Sequence, residues 1–103
     1  MTRQSHRLAL GPKRALDKLG ADLRAARLRR RLPAAVVAER ARPSRPTLAR
    51  IEQGDPNVSI GLYCSVLNVY GLIQGVGALA DYAADEVGRD LDRARLPQAG
   101  RGK

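Results

Sequence analysis

Residues 36–54 read VVAERARPSRPTLARIEQG, two short helical patterns separated by a tight break at Arg42-Pro43. The first, from about Ala34 to Ala41, carries Val36, Val37 and Ala38 and follows Pro33, a residue suited to the first turn of a helix. The second opens on Ser44, whose hydroxyl can accept from the amide near Thr47 and cap the helix. Pro46 then falls in the first turn, where a missing N–H costs nothing, and Gly54 follows Gln53 as a helix-ending glycine. Leu48 and Ile51 form an apolar pair, with Arg45, Thr47 and Arg50 around it. No strong strand signal and no internal repeat occurs anywhere in the chain. With three Tyr and no Phe or Trp, the core must come from Leu, Val, Ile and Ala, which suits short, close-packed helices. The expected fold class is all-α.

Around this segment the chain divides into three. Residues 1–13 are polar and basic, are broken at Gly11-Pro12, and read as a flexible arm. A helix-rich domain follows over 14–84. Its first helix runs from about Lys13 or Arg14 to Arg31, with Leu16, Leu19 and Leu23 on one stripe. Arg27 stands on that stripe four residues after Leu23, and Glu52 stands four residues after Leu48. A charge at either place is unusual. Asp55-Pro56-Asn57-Val58 is a loop, and Ser59 caps a fourth helix that runs to about Tyr70 on Leu62, Val66, Leu67 and Val69 and ends at Gly71. A fifth pattern, about Gln74 to Ala84, uses Val76, Leu79, Ala80 and Ala83 and is weakened by Gly75 and Gly77. Residues 85–103 read as a charged tail with at most a helical turn or two before Leu96-Pro97. Leu72, Ile73, Val76, Leu79 and Tyr82 exceed what a short terminal helix needs for one core, so part of this set is expected to form a two-fold interface in a homodimer.

Charge is distributed unevenly. Residues 1–52 hold 14 Lys and Arg against 4 Asp and Glu, whereas residues 53–103 hold 5 against 6. A concentrated basic surface favours polyanions through counterion release; a coding bias toward Arg and Ala is the competing explanation. Cys64 is alone, which excludes an intrachain disulfide and fits a reducing compartment. No apolar run approaches the roughly 20 residues of a membrane span, and the N-terminus lacks a signal-peptide core, so a cytoplasmic protein is expected. His6 has no partner at metal spacing. Asp81, Asp85, Glu86, Asp90 and Asp92 are spread along the chain rather than converging, as a metal site would require. No phosphate-binding glycine loop and no nucleophile with an adjacent His occurs. The expectation is a protein that is not an enzyme and takes neither cofactor nor metal.

A short helix presenting polar and basic residues, clamped by the helix before it, has the layout of a helix-turn-helix, which places its second helix in a DNA major groove. The run from Leu19 to Leu72, and above all SRPTLARIEQGDPNVSI, resembles the phage-repressor and Cro-like helix-turn-helix family, often called XRE. The resemblance covers about half the chain. It implies a five-helix lambda-repressor-like fold and sequence-specific binding of double-stranded DNA, usually as a dimer on a palindromic operator. Carried over by position, it puts Ser44 at a phosphate or base edge, Arg45, Pro46 and Arg50 toward bases with Thr47 beside them, and Asn57 and Ser59 at backbone phosphate. It also implies an Arg27–Glu52 ion pair linking the first and third helices, buried or half-buried. The chain departs from the family at Ala34, where Gln is usual, at Pro33, which replaces a Ser or Thr cap, and at Arg42-Pro43, where Gly-Val is common.

Less specific roles compete at several residues. Arg29, Arg30 and Arg31 read first as a solvated run at a helix C-terminus and second as phosphate contacts. Cys64 reads as a small core residue. For the whole chain, a DNA-binding repressor leads. Repressor-like proteins of this size also resemble the antitoxin half of HipB-type pairs, which hold a HipA-type kinase toxin, and the ending ADEVGRDLDRARLPQAGRGK is similar to the charged tails of such antitoxins. A protein-binding inhibitor whose DNA binding is secondary, a repressor without a toxin, and a non-specific nucleic-acid binder are the alternatives.

Overall fold

Leu10 opens the first helix, α1 (Leu10–Arg29), in a computed structural model that describes residues 7–99 and their side chains as far as Arg95. The helix thus starts ahead of the Gly11-Pro12 break expected from the sequence. The first-turn amides of a helix have no intrahelical partner, so Pro12 sits there without losing a bond. The Lys13 amide donates to the Ala9 carbonyl at 3.0 Å and closes that turn. Residues 1–6, most of the expected arm and His6 with it, lie outside the described residues.

Three further helices complete the first unit: α2 (Ala34–Ala41), α3 (Arg45–Glu52) and α4 (Ile60–Val69). They pack α1 on α3, and α2 on both α3 and α4. Leu23, Val37, Leu48, Ile51 and Val66 are sealed from solvent at the centre, with Tyr63 and Tyr70 buried beside them. Each aliphatic side chain contributes about 1.5–3 kcal/mol by leaving water. Cys64 is only half-buried, at the edge of this core rather than within it.

Three of the four helices end in the same hydrogen-bonded stop. After α1, the Arg31 amide donates to Leu28 and the Leu32 amide to Arg27; after α3, Gly54 donates to Ile51 and Asp55 to Arg50; after α4, Gly71 donates to Asn68 and Leu72 to Leu67. This motif places one residue in the left-handed region. Glycine fills it twice, at φ +73° and +74°, and Arg31 fills it once, at φ +53°. The α2–α3 turn makes the same demand on Arg42, at φ +78°. The expected absence of a turn glycine is therefore met by an arginine in the conformation glycine favours.

Two glycines set the spacing of α1 against the end of α3. A methyl group on Gly20 would lie 2.5 Å from the Gly54 nitrogen and 2.8 Å from the Ile51 oxygen; one on Gly54 would lie 2.5 Å from the Leu16 oxygen. Both collisions are with backbone, so the approach is possible only without side chains at these positions.

The second unit begins at Gln74. The fifth helix expected over 74–84 is only α5 (Gln74–Gly77), followed by a 3-10 turn at Tyr82–Ala84. Gly75 and Gly77 weaken the helix from within. Asp81 then starts a new turn, its Oδ1 accepting from the Ala83 amide at 3.3 Å. The expected tail is in large part helical, α6 (Glu86–Ala99). Asp85 caps its start, accepting from the Gly88 amide at 3.0 Å, and Arg93 pairs with Asp90 one turn apart. Arg89 donates back to the carbonyls of Tyr82 and Ala83. The described residues therefore form six α-helices and no strand, not five helices and an irregular tail.

Candidate nucleic-acid interface

Helix α3 is fixed at both ends before it presents anything. At its start Ser44 Oγ accepts from the Thr47 amide at 3.2 Å and donates to Thr47 Oγ1 at 2.9 Å. Pro46 occupies the first turn. On the inner side Leu48 and Ile51 are buried against α1 and α2. The outer side consists of Ser44, Arg45, Pro46 and Ala49, all exposed, with Thr47 and Arg50 half-exposed. Five of the expected contact residues therefore share one short segment at the surface.

The other two sit on the α3–α4 connection. Asn57 and Ser59 are both exposed. Ser59 Oγ accepts from the Leu62 amide at 3.3 Å and caps α4, the kind of helix start that favours an anion. Ala34, where the family usually has Gln, is the half-buried first residue of α2 and offers no donor.

Asp55 ties these parts together, and the sequence reading assigned it no role. Its Oδ2 accepts from Arg50 Nε at 2.8 Å and its Oδ1 from the Asn57 amide at 2.8 Å. Its carbonyl accepts from the Tyr63 hydroxyl at 2.8 Å, and its amide donates to the Arg50 carbonyl at 3.0 Å. The Arg50 guanidinium, and then the Asn57 amide, hold the Asp55 carboxyl below its ordinary range. Burial pushes the Tyr63 phenol up to about 12, and the nearby Asp55 charge adds to this. An i, i+5 Arg/Asp pair straddling a helix-ending glycine is the signal that could have revealed the contact, because that stop folds position 55 back toward position 50.

Arg27 and Glu52 meet between α1 and α3. Arg27 Nε lies 2.7 Å from Glu52 Oε2 and Nη2 lies 3.1 Å from Oε1, while Nη1 donates to the Leu32 carbonyl at 3.2 Å. Their side chains are 13% and 8% exposed. The bond to Glu52 raises the Arg27 pKa further. Tyr70 is packed beside the pair, its phenol also pushed up by burial, and its hydroxyl is the one buried side-chain polar atom without a partner among the described residues.

Arg29, Arg30 and Arg31 are all exposed, as the solvated reading of the run has it, but Arg30 also makes structural contacts. It donates to the carbonyls of Ala26 at 3.0 Å and Tyr70 at 3.1 Å, with its guanidinium 5.3 Å from the centre of the Tyr70 ring. It therefore caps α1 and α4 together. Of the residues expected at a two-fold interface, Leu72, Leu79 and Tyr82 are exposed and Ile73 and Val76 are half-buried. No described helix is long and apolar enough to cross a membrane.

A family model described as a helix-turn-helix domain matches residues 18–80, more than half of the chain. The match takes in α2 and α3 whole, and leaves the first two turns of α1 and all of α6 outside. Neither the curated proteins nor the solved structures yield a match.

Proposed function

The chain belongs to the helix-turn-helix domain family, and on that premise we propose that it is a sequence-specific DNA-binding transcriptional regulator, a repressor of the XRE type, that lays α3 in the major groove. The observation that carries this reading is the outer side of α3: Ser44, Arg45, Pro46 and Arg50 at the surface of a helix capped at its start and anchored underneath by Leu48 and Ile51. The strongly basic first half of the chain supports it. In this reading Arg45 and Arg50 face base edges, and Asn57 and Ser59 face phosphate at the start of α4. The protein is cytoplasmic and acts by binding rather than catalysis.

We further propose a homodimer on a palindrome, joined through part of Leu72, Ile73, Val76, Leu79 and Tyr82, with the two α3 helices about 34 Å apart, one DNA turn. Exposure of Leu79 and Tyr82, at 75% and 56%, supports a covering partner. A HipA-like kinase toxin is the proposed protein partner, docking on the segment from Asp81 onward and making the chain an antitoxin that represses its own operon. That segment carries exposed Val87 and Leu91 between charged residues.

Selection of bound duplexes from a randomised DNA pool tests the main reading. The full chain is expected to enrich one palindrome, and Arg45→Ala/Arg50→Ala to lose it. Failure to enrich any sequence, with affinity governed by salt alone, would leave only a non-specific binder. For the partner, truncation after Val87 is expected to keep DNA binding and abolish co-purification with the neighbouring gene product. Undiminished co-purification would reject the tail as the docking site.

A further inference from the structure

We infer that Asp55 is a positioning residue for base recognition, bracing Arg50 so that the outer edge of its guanidinium is presented to one guanine in each half-site. The inference rests on the DNA-binding reading above and deepens it. A guanidinium carries its donors in one plane. Asp55 Oδ2 takes the Nε donor at 2.8 Å. Nη1 and Nη2 are left, and this pair of N–H groups matches O6 and N7 of guanine.

The brace is itself held rigidly. The Asp55 carboxylate also accepts from the Asn57 amide, its carbonyl accepts from Tyr63 on α4, and its amide is bonded to the Arg50 carbonyl. Gly54, at φ +73°, makes the turn that returns position 55 to position 50. An unbraced arginine must give up rotamer freedom when it meets a base, and part of that ordering is complete here before DNA arrives. Asp55 also lowers the value of Arg50 as a plain phosphate clamp, because its own charge repels phosphate at the same spot. Arg45 is exposed and has no such brace among the described residues. The two arginines of α3 therefore divide the work, with Arg50 reading sequence and Arg45 supplying adaptable contact.

The test uses the full chain and the duplex enriched by selection. Affinity is measured by fluorescence anisotropy for that duplex and for duplexes with each guanine replaced in turn, at two salt concentrations. The parent is expected to discriminate at one guanine per half-site by about 5–150-fold, the worth of a good bidentate contact. Asp55→Asn keeps the size of the side chain and an acceptor for the Asn57 amide but loses the charge. It is expected to reduce discrimination at that guanine to within about threefold while leaving the other positions as in the parent, and to steepen the salt dependence, because the released Arg50 charge can then pair with phosphate. Adding Arg50→Ala to Asp55→Asn should then change little more at that base. Val66→Ala, a core truncation on α4 that removes none of the bonds to Asp55, serves as the control for lost stability and should keep the full pattern. Retained discrimination in Asp55→Asn, or an equal loss at every position in both Asp55→Asn and Val66→Ala, would overturn the inference. A parent that selects no duplex would overturn the sequence-specific reading and the inference together, a result distinct from either of these.

Discussion

Replacing Arg27 with Met removes one side of the ion pair beneath α3 and leaves Glu52 stranded. The size of the effect follows from the geometry. Arg27 makes two bonds to the Glu52 carboxylate and one to the Leu32 carbonyl, in a place where the two side chains are 13% and 8% exposed. Breaking a fully buried pair by deleting one partner costs about 3–5 kcal/mol, most of it from the charge left unpaired, and this part-buried pair belongs near the lower end of that range. The unit that contains the pair spans residues 1–73. At roughly 0.05–0.15 kcal/mol per residue, such a unit has only about 4–11 kcal/mol of stability in total. Arg27→Met should therefore remove a large fraction of it, and the double variant Arg27→Met/Glu52→Leu should recover most of the loss, because no charge is then buried alone. Urea unfolding followed by circular dichroism at low temperature reads both, with the midpoint moving and the slope unchanged. If Arg27→Met lay within about 1 kcal/mol of the parent, both groups would be adequately hydrated and the pair would have the small worth of a surface bridge. A double variant no better than the single one would show that the lost packing of the arginine stem, not the stranded carboxylate, sets the cost.

Three further outcomes are expected. Alanine favours a helix over glycine by about 1 kcal/mol, but the Gly20 methyl would meet backbone at 2.5–2.9 Å, so Gly20→Ala should destabilise by about 2 kcal/mol or more; a higher melting temperature would contradict the close approach of α1 to Gly54. Arg31→Gly should stabilise by roughly 0.5–1 kcal/mol, since release from the left-handed region is worth about 1–2 and the freer unfolded chain takes back about 0.4–1, and a melting temperature below the parent's would argue against it. The Tyr63 phenol is pushed up to about 12, above its unfolded value of about 10, so its stabilising contribution is complete below about pH 10 and is lost as pH rises through about 12; tyrosinate absorbance should show one phenol in Tyr63→Phe fewer among those resisting titration, and identical alkaline curves would refute this.

The elements that could be read from the sequence are those whose signals are local. Ser44 and Ser59 cap the helices they precede, Gly54 and Gly71 stop the helices they follow, and the Leu48–Ile51 pair identifies the inner side of α3. Signals that depended on composition alone misled. Pro12 looked like a break but sits where proline costs nothing, and the charged run after Asp85 looked irregular although an aspartate cap and Arg–Asp spacing support a helix. Least legible were the contacts made across the chain: Gly20 against Gly54, Arg30 on the Tyr70 carbonyl, and Asp55 on Arg50. Each joins residues whose local patterns are complete without the other. Gly20 is a mild weakness in a helix until α3 lies against it, and Asp55 is an ordinary loop residue until a left-handed glycine turns the backbone. The candidate site shows the same divide. The family resemblance carries Arg45 and Arg50 over together as equivalent base-facing cations, whereas the fold gives Arg50 a carboxylate partner and, among the described residues, gives Arg45 none. The difference between them in the proposed reading of DNA therefore originates in the α3–α4 loop, outside the helix that carries them both.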